Sequence, residues 1–254
     1  MKTEIIPTIL VKSFDEVKER IKAVEKYVNW VQLDIMDGIF VDNKTWPYTE
    51  GKISDLEELK TKVHPVKSSK GGIAKQSFNR VKLEAHLMIE KPEEVIDDWL
   101  GVVERIIVHH ESKISSIKEL IKKVHNQGKG IGLAINPETP IETVKPFLND
   151  LPCTIKNSIQ AKSQRDEIMV QGLDLVLCMT VQPGWGGQEF RDEVLVKIKS
   201  LREIWPNGNI EVDGGVDDEN IKKITGAGAN LICVGTFIFK SKNIKKAIED
   251  LKNI

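Results

Sequence analysis

The sequence predicts an α/β protein whose eight parallel strands close into a single (β/α)8 TIM barrel. Short β-branched runs alternate with charged amphipathic segments, and eight such strand–helix pairs fit within the 254 residues. This alternation implies a parallel sheet, because each return crossover needs a helix to cover one face. About 250 residues is the usual size of a closed barrel. A doubly wound open sheet would begin with a glycine-rich dinucleotide turn, and Leu10-Val11-Lys12-Ser13 is not one.

The predicted strands and helices follow a regular order, and the 254 residues are expected to form one barrel domain. Ser13 is the expected N-cap of the first helix, and Glu16 completes a capping box. Pro92 suits the first turn of a later helix. The predicted strands are residues 5–10, 30–41, 82–89, 105–111, 130–135, 173–179, 209–213 and 231–234. The predicted helices are residues 14–27, 92–100, 114–126, 141–148, 164–171, 189–204, 217–227 and 243–253.

Irregular segments near residues 43–80 and 149–163 interrupt this order. The first contains a candidate helix at residues 55–63 and a stretch at residues 68–79 that is typical of an exposed loop or a short hairpin. The second segment has no regular pattern, and its sequence predicts no role.

Composition and charge restrict the possible partners. Hydrophobic residues make up 40% of the chain and charged residues 30%, with a formal net charge of −1, so a large core is possible and no net field favours nucleic acid or an anionic membrane. No apolar run reaches membrane-spanning length. Cys153, Cys178 and Cys233 lack metal-site spacing and suit free thiols in a reducing cytosol. The protein is therefore expected to be cytoplasmic.

Polar residues stand at the carboxyl ends of the predicted strands, where the active site of a barrel lies. They are Thr8, Gln32, Asp34, His86, Asn136 and Asp213, and the methionines Met36, Met88 and Met179 lie beside them. A lone buried carboxylate is more often a structural hydrogen-bonding group, but it is costly unless it is paired, bound to a metal or used in proton transfer. Asp34 and Asp213 stand on the second and seventh strands. They suit removal of a proton from one face of a carbon and its return to the other.

The remaining strand-end residues are less specific. Taken alone, His86 suits a structural histidine better than a metal ligand, and the methionines suit core filling and site lining about equally. Glycines are a stronger signal: PGWGGQ at residues 183–188 follows the sixth strand, Gly214 and Gly215 follow the seventh, and Gly235-Thr236 follows the eighth. Because glycines let backbone N–H groups converge on an anion, these loops together predict a phosphate site.

At these residues the chain resembles the ribulose-phosphate 3-epimerase family. The matching segments, in strand order, are IIPTIL, LDIMDGIFVDN, AHLMI, VHHE, AINPETP, MTVQPGWGGQEF, EVDGGV and VGTFIF. The resemblance implies a barrel of the ribulose-phosphate-binding type. It also implies an isomerase of the pentose phosphate pathway that interconverts ribulose 5-phosphate and xylulose 5-phosphate by moving the proton at C3.

Roles for individual residues follow from the resemblance. Asp34 and Asp213 are the implied acid–base pair, and with His86 they are the implied ligands of a divalent metal, namely Zn, Fe, Mn or Co. The methionines are implied to cover the enediolate intermediate. On both grounds, the residues expected to contact the substrate or surround its phosphate are Thr8, Met36, His86, Met88, Asn136, Met179, Gly186, Gly187, Gly214, Gly215, Gly235 and Thr236. A small-molecule sugar phosphate is the implied partner, and the family's tendency to assemble implies a homo-oligomer.

Three features depart from the family pattern. Gln32, a candidate fourth metal ligand, stands where the family has a histidine ligand, two residues before the first aspartate, and an amide oxygen binds zinc or iron less well than an imidazole does. Thr8 replaces a serine and adds a methyl group. The two irregular segments are longer than the family needs and are candidates for lids, oligomer contacts or surface insertions. Two alternatives stay open: an epimerase for another ketose phosphate, such as a hexulose 6-phosphate, and a catalytically weakened barrel that binds a sugar phosphate.

Overall fold

Eight parallel strands close into a barrel in the computed structural model, which describes residues 2–60, 66–67, 73–74, 81–148 and 172–254. Consecutive barrel strands pair in parallel, and the first pairs with the last. The predicted (β/α)8 barrel is therefore confirmed. The barrel strands are β1 Glu4–Ile9, β2 Trp30–Met36, β3 Lys82–Met88, β4 Arg105–His109, β5 Gly130–Ile135, β6 Leu175–Met179, β7 Asn209–Asp213 and β8 Leu231–Val234.

Helices follow most of the strands. They are α1 Phe14–Val24, α2 Glu57–Lys60, α3 Ile96–Leu100, α4 Ile117–Asn126, α5 Val194–Ile204, α6 Ile221–Ala227, α7 Thr236–Lys240 and α8 Ile244–Lys252. The predicted capping box of α1 is confirmed, since Ser13 Oγ accepts from the Glu16 N–H at 3.3 Å and Glu16 Oε2 accepts from the Ser13 N–H at 3.2 Å. None of the helices in the described part of the chain is long and apolar enough to cross a membrane.

The second strand ends at Met36, earlier than the predicted residue 41. The carboxylate of Asp37 accepts hydrogen bonds from the N–H groups of Ile39 and Phe40, each at 2.8 Å, and Gly38 has a φ of 77°. A side chain that bonds the backbone two and three residues ahead replaces strand pairing with a turn. The chain therefore turns away directly after the residues of the candidate site.

Other predicted elements differ in kind or extent. Residues 141–148 form two 3-10 turns, Ile141–Thr143 and Lys145–Phe147, because Pro146 lacks the N–H that a continuous α-helix needs. Helix α7 was not predicted. Val66–Lys67 pairs antiparallel with Ile73–Ala74, whereas the rest of the stretch at residues 68–79 lies outside the described residues. The predicted irregular segment 149–163 and helix 164–171 also lie outside them.

The core has two parts. The larger packs the helices against the outer face of the barrel, and the smaller fills the barrel interior with Ile6, Ile107, Leu175, Leu177 and Cys233 among its residues. Cys178 and Cys233 are buried free thiols, as predicted, and Cys153 lies outside the described residues.

The strand register brings the candidate site residues to one end of the barrel. The level pairs are Asp34–His86, Met36–Met88, Met179–Asp213 and Thr8–Gln32. Side chains two residues apart on a strand share a face. Glu84, which is level with Arg105, and Glu211 therefore lie one layer below this end, inside the barrel.

Candidate active site

Asp34 and Asp213 approach each other across the end of the barrel and share one hydrogen-bond donor. The side-chain nitrogen of Gln32 donates to Asp34 Oδ1 at 2.8 Å and to Asp213 Oδ2 at 2.7 Å. Asp34 is buried, and burial together with the negative charge of Asp213 raises the pKa of Asp34 to about 6. The predicted pair of aspartates is thus brought together, and Asp34 titrates close to neutral pH.

His86 lies against both aspartates. Its Nδ1 is 3.3 Å from Asp34 Oδ1 and 3.5 Å from Asp213 Oδ2. Burial alone lowers the pKa of His86, but the hydrogen bonds and charges of Asp213 and Asp34 outweigh burial and raise this pKa to about 10. At neutral pH, the imidazole is therefore held as a cation between two carboxylates.

These three residues form a group that could hold a divalent cation. One ligand atom each from Asp34, His86 and Asp213 lies within 4.8 Å of the others. Two carboxylates and an imidazole suit a divalent transition metal. The three predicted ligands therefore fit together as a donor set once His86 Nδ1 has released its proton, since a metal is bound by the neutral imidazole. Gln32 differs from the expectation for a fourth ligand, because its amide NH2 and not its oxygen points into the group.

Behind His86 lies a second histidine for which the sequence predicted no role. His86 Nε2 is 2.9 Å from His109 Nε2, and His109 Nδ1 is 3.3 Å from Glu111 Oε2. Burial lowers the pKa of His109 to about 4, so the charged His86 donates to a neutral His109. Burial opposes ionisation of Glu111, but hydrogen bonds from His109, Thr139 and the backbone of Asn136 lower its pKa to about 2. The charged His86 therefore donates to His109, and His109 in turn donates to the Glu111 carboxylate.

The candidate site opens into a cavity of about 510 Å³. The two aspartates, Asp34 and Asp213, line it together with most of the predicted contact residues, namely Thr8, Met36, Met88, Met179, Gly186, Gly187, Gly214, Gly215, Gly235 and Thr236. His86 lies fully buried behind this surface. Asn136 is not part of this lining: it borders a smaller neighbouring cavity, its N–H donates to Glu111, and its side-chain oxygen has no hydrogen-bond partner among the described residues. Its predicted contact with the substrate stays a prediction.

Glycine is required at the far end of the cavity, where the loops after β6, β7 and β8 meet. Gly215 has a φ of 63°, and a Cβ there would lie 2.6 Å from the backbone nitrogen of Phe190. Gly214 has a φ of 120°, and a Cβ there would lie 2.5 Å from Val181 Cγ2. Only glycine adopts these conformations without strain or collision. The backbone can therefore approach a bound group closely, as the predicted phosphate site requires.

Two cationic residues line the same cavity and were missed in the sequence. Arg20 comes from α1 and Lys240 from the end of α7. The Arg20 guanidinium lies over the Phe239 ring, 4.4 Å from its centroid. Both side chains add positive charge to a cavity whose glycine loops suit an anion.

A buried ionic cluster lies beneath the site and was also not predicted. Arg105 donates from Nε to Glu84 at 2.6 Å and from a terminal nitrogen to Glu211 at 3.3 Å. Burial raises the pKa of Glu84, and burial with the charge of Glu84 raises the pKa of Glu211 to about 8. The Cys233 thiol joins this cluster to the site, with Sγ 3.2 Å from Glu211 Oε1 and 3.3 Å from Gln32 Oε1.

Solved structures share this fold. The 3-keto-L-gulonate-6-phosphate decarboxylase of Vibrio cholerae matches with a TM-score of 0.65 over 100% of this chain and 97% of its own, at 12% identity. The 3-hexulose-6-phosphate synthase of Salmonella typhimurium matches with a TM-score of 0.63 over 98% and 97%, at 11% identity. Likeness at such low identity concerns the fold alone. The fold and the site define the class, which is a (β/α)8-barrel enzyme with its site at the carboxyl ends of the strands.

Sequence comparison narrows this class to one family. The model of the ribulose-phosphate 3 epimerase family matches residues 4–69, 71–161 and 160–239. The ribulose-phosphate 3-epimerase of Schizosaccharomyces pombe is 30% identical over 254 residues, which cover 100% of this chain and 94% of the relative. That of Bacillus subtilis is 31% identical over 98% of both chains. The chain belongs to the ribulose-phosphate 3-epimerase family, whose members are enzymes that act on carbohydrates, and the predicted resemblance is confirmed.

Proposed function

We propose that the protein interconverts ribulose 5-phosphate and xylulose 5-phosphate by moving the proton at C3. The observation that carries this proposal is the pair Asp34 and Asp213, which line one cavity from strands three places apart in the ring and share the Gln32 donor. Support for the substrate comes from family membership and from the glycine loops at the phosphate end.

In the proposed reaction, one aspartate removes the C3 proton from one face of the substrate and the other aspartate, protonated, delivers a proton to the opposite face. An enediolate exists between the two transfers, and the second transfer inverts C3. The reverse reaction exchanges the two roles. A pKa of about 6 suits Asp34 for both accepting and giving a proton near neutral pH.

The other cavity residues are proposed to bind and shield the substrate. The loops with Gly186, Gly187, Gly214, Gly215, Gly235 and Thr236 would hold the phosphate through backbone N–H groups. Met36, Met88 and Met179 would cover the reacting carbons and exclude water. A divalent cation held by Asp34, His86 and Asp213 would supply positive charge for the developing enediolate, and Zn, Fe, Mn and Co are the candidates.

We also propose that the 254 residues form one barrel domain with insertions near residues 43–80 and 149–163, and that the protein acts in the pentose phosphate pathway as a cytoplasmic homo-oligomer. Family membership supports the pathway and the assembly. The buried free thiols Cys178 and Cys233 support a reducing compartment.

Solvent deuterium exchange at C3 of ribulose 5-phosphate tests the proposed reaction. Asp34→Asn should reduce this exchange by at least about 100-fold, because Asp34 is the proposed base towards ribulose 5-phosphate, and Asp213→Asn should reduce conversion to xylulose 5-phosphate by a similar factor, because Asp213 is the proposed acid. Asp218→Asn is the matched control: it makes the same chemical change at an exposed residue of the loop after β7 and should leave exchange unchanged. Binding of ribulose 5-phosphate without exchange in the unmodified protein, or full exchange in Asp34→Asn, would contradict the proposal.

A further inference from the structure

The side-chain nitrogen of Gln32 lies among the same three groups that could hold a divalent cation. It is 2.8 Å from Asp34 Oδ1, 2.7 Å from Asp213 Oδ2 and 3.4 Å from His86 Nδ1. An amide nitrogen carries hydrogens and offers no lone pair to a metal. Because the NH2 group donates to both carboxylates, the two aspartates have a hydrogen-bond donor between them without a bound cation.

The orientation of the Gln32 amide is determined from both ends. Its oxygen accepts from the Cys233 thiol at 3.3 Å, and its nitrogen donates to the two aspartates. An inverted amide would set its oxygen close to two carboxylate oxygens, and the one donor nearby, His86 Nδ1, is farther away at 3.4 Å and already faces both aspartates. Gln32 is fully buried, so water does not compete for these contacts. The donors and acceptors therefore select one orientation.

We propose that the Gln32 amide and a divalent cation compete for one position between Asp34, His86 and Asp213. In the cation-free protein, the NH2 group holds the two carboxylates together. A cation binds only after the amide has turned away and given up both charged hydrogen bonds. This inference rests on the cation site of the proposed function and adds that Gln32 opposes cation binding and does not contribute a ligand.

Binding of Mn²⁺ to the full chain, freed of metal with a chelator and followed by titration calorimetry, tests the competition. Gln32→Ala removes the competing amide and keeps the three ligands. It should bind Mn²⁺ at least about tenfold more tightly than the unmodified protein, since a hydrogen bond to a charged group is worth roughly that ratio. Gln127→Ala is the matched control, because it truncates an exposed glutamine at the end of α4 and should leave the affinity unchanged.

The opposite sign would overturn the proposal. If Gln32 turned its oxygen to the cation and acted as a ligand, Gln32→Ala would bind Mn²⁺ more weakly, and equal affinity would show that the amide does neither. Gln32→Ser, which is polar but too short to bridge both aspartates, carries the same expectation if Gln32→Ala does not fold. Absence of Mn²⁺ binding in every variant would overturn the cation site together with the competition, whereas the proposed proton transfer is tested separately by deuterium exchange.

Discussion

Replacing Arg105 by methionine should destabilise the barrel by about 3–5 kcal/mol at neutral pH, the usual cost of breaking a buried ion pair from one side. Arg105 is buried, donates to Glu84 and Glu211, and packs its guanidinium over the Trp30 ring at 4.3 Å. Methionine keeps much of the volume but leaves two carboxyl groups facing each other without a cation. The cost therefore comes from charge and not from a cavity.

The loss should grow with pH. The pKa of Glu84 is raised by burial, and the pKa of Glu211 is raised to about 8 by burial and Glu84. A carboxyl group whose pKa is higher in the folded state takes up protons on folding. Its contribution to the free energy of unfolding therefore falls as pH rises from about 4.3, the ordinary pKa of a glutamate, towards 8. The charge of Arg105 lowers both pKa values, so its removal raises them further, and the additional penalty grows by up to about 1.4 kcal/mol per pH unit for each group above the pKa that the group has in the unmodified protein. The loss in free energy of unfolding caused by Arg105→Met should therefore be smaller at pH 5 than at pH 8.

Guanidinium denaturation of the unmodified protein and Arg105→Met at pH 5 and pH 8 measures both effects. Arg191→Met is the matched control: Arg191 pairs with Glu138 and Glu193 at the surface, where such pairs are worth at most about 1 kcal/mol. The double variant Arg105→Met, Glu84→Gln should recover part of the loss. The reasoning fails if Arg105→Met costs no more than Arg191→Met, or if its cost is the same at both pH values.

Three further outcomes are expected. Gly215→Ala should raise KM for ribulose 5-phosphate and lower Tm, because its Cβ would meet the backbone of Phe190 at a φ of 63°; unchanged values of both would contradict the assigned phosphate loop. Arg20→Gln and Lys240→Gln should each raise KM with little change in kcat in steady-state kinetics, because these charges are expected to bind the phosphate end of the substrate. A fall in kcat with KM unchanged would contradict this role. In metal-free protein, deuterium exchange should fall about tenfold per pH unit below about pH 6, because protonated Asp34 cannot act as a base; a flat profile would remove that role.

Asp34 and Asp213 could be located from sequence because each stands in the carboxyl-terminal half of a β-branched strand that is followed by a turn. Parallel strands bring their carboxyl ends to one side of the barrel, so the order of strands along the chain was sufficient to predict that the two aspartates lie at the same end. The helix predicted at residues 141–148 was wrong because its apolar spacing was given more weight than Pro146. Local spacing predicts which element forms only when no single residue forbids it.

Other site residues could not be found in this way. Whether a polar residue within a strand, such as Glu84, or at its start, such as Arg105, faces the barrel interior depends on strand tilt and stagger, which one strand does not reveal. Arg20 stands on α1 together with Lys18 and Lys22, and Lys240 is an exposed residue at the end of α7, so nothing in the pattern marks either as a cavity residue. The NH2-inward orientation of Gln32 depends on Cys233, which is 201 positions away in the chain.

The barrel closes by pairing its first strand, β1, with its last, β8, and this affects how the chain folds during synthesis. Strand β8 pairs with both β7 and β1, and α8 packs against β1. Thr8 from β1 meets the loop after β8 closely enough that a Cβ at Gly235 would lie 2.6 Å from its hydroxyl. Thr8 is synthesised long before Gly235. A nascent chain on the ribosome therefore carries seven strands without a finished phosphate loop, and it should acquire the ability to bind substrate only after β8 has left the exit tunnel.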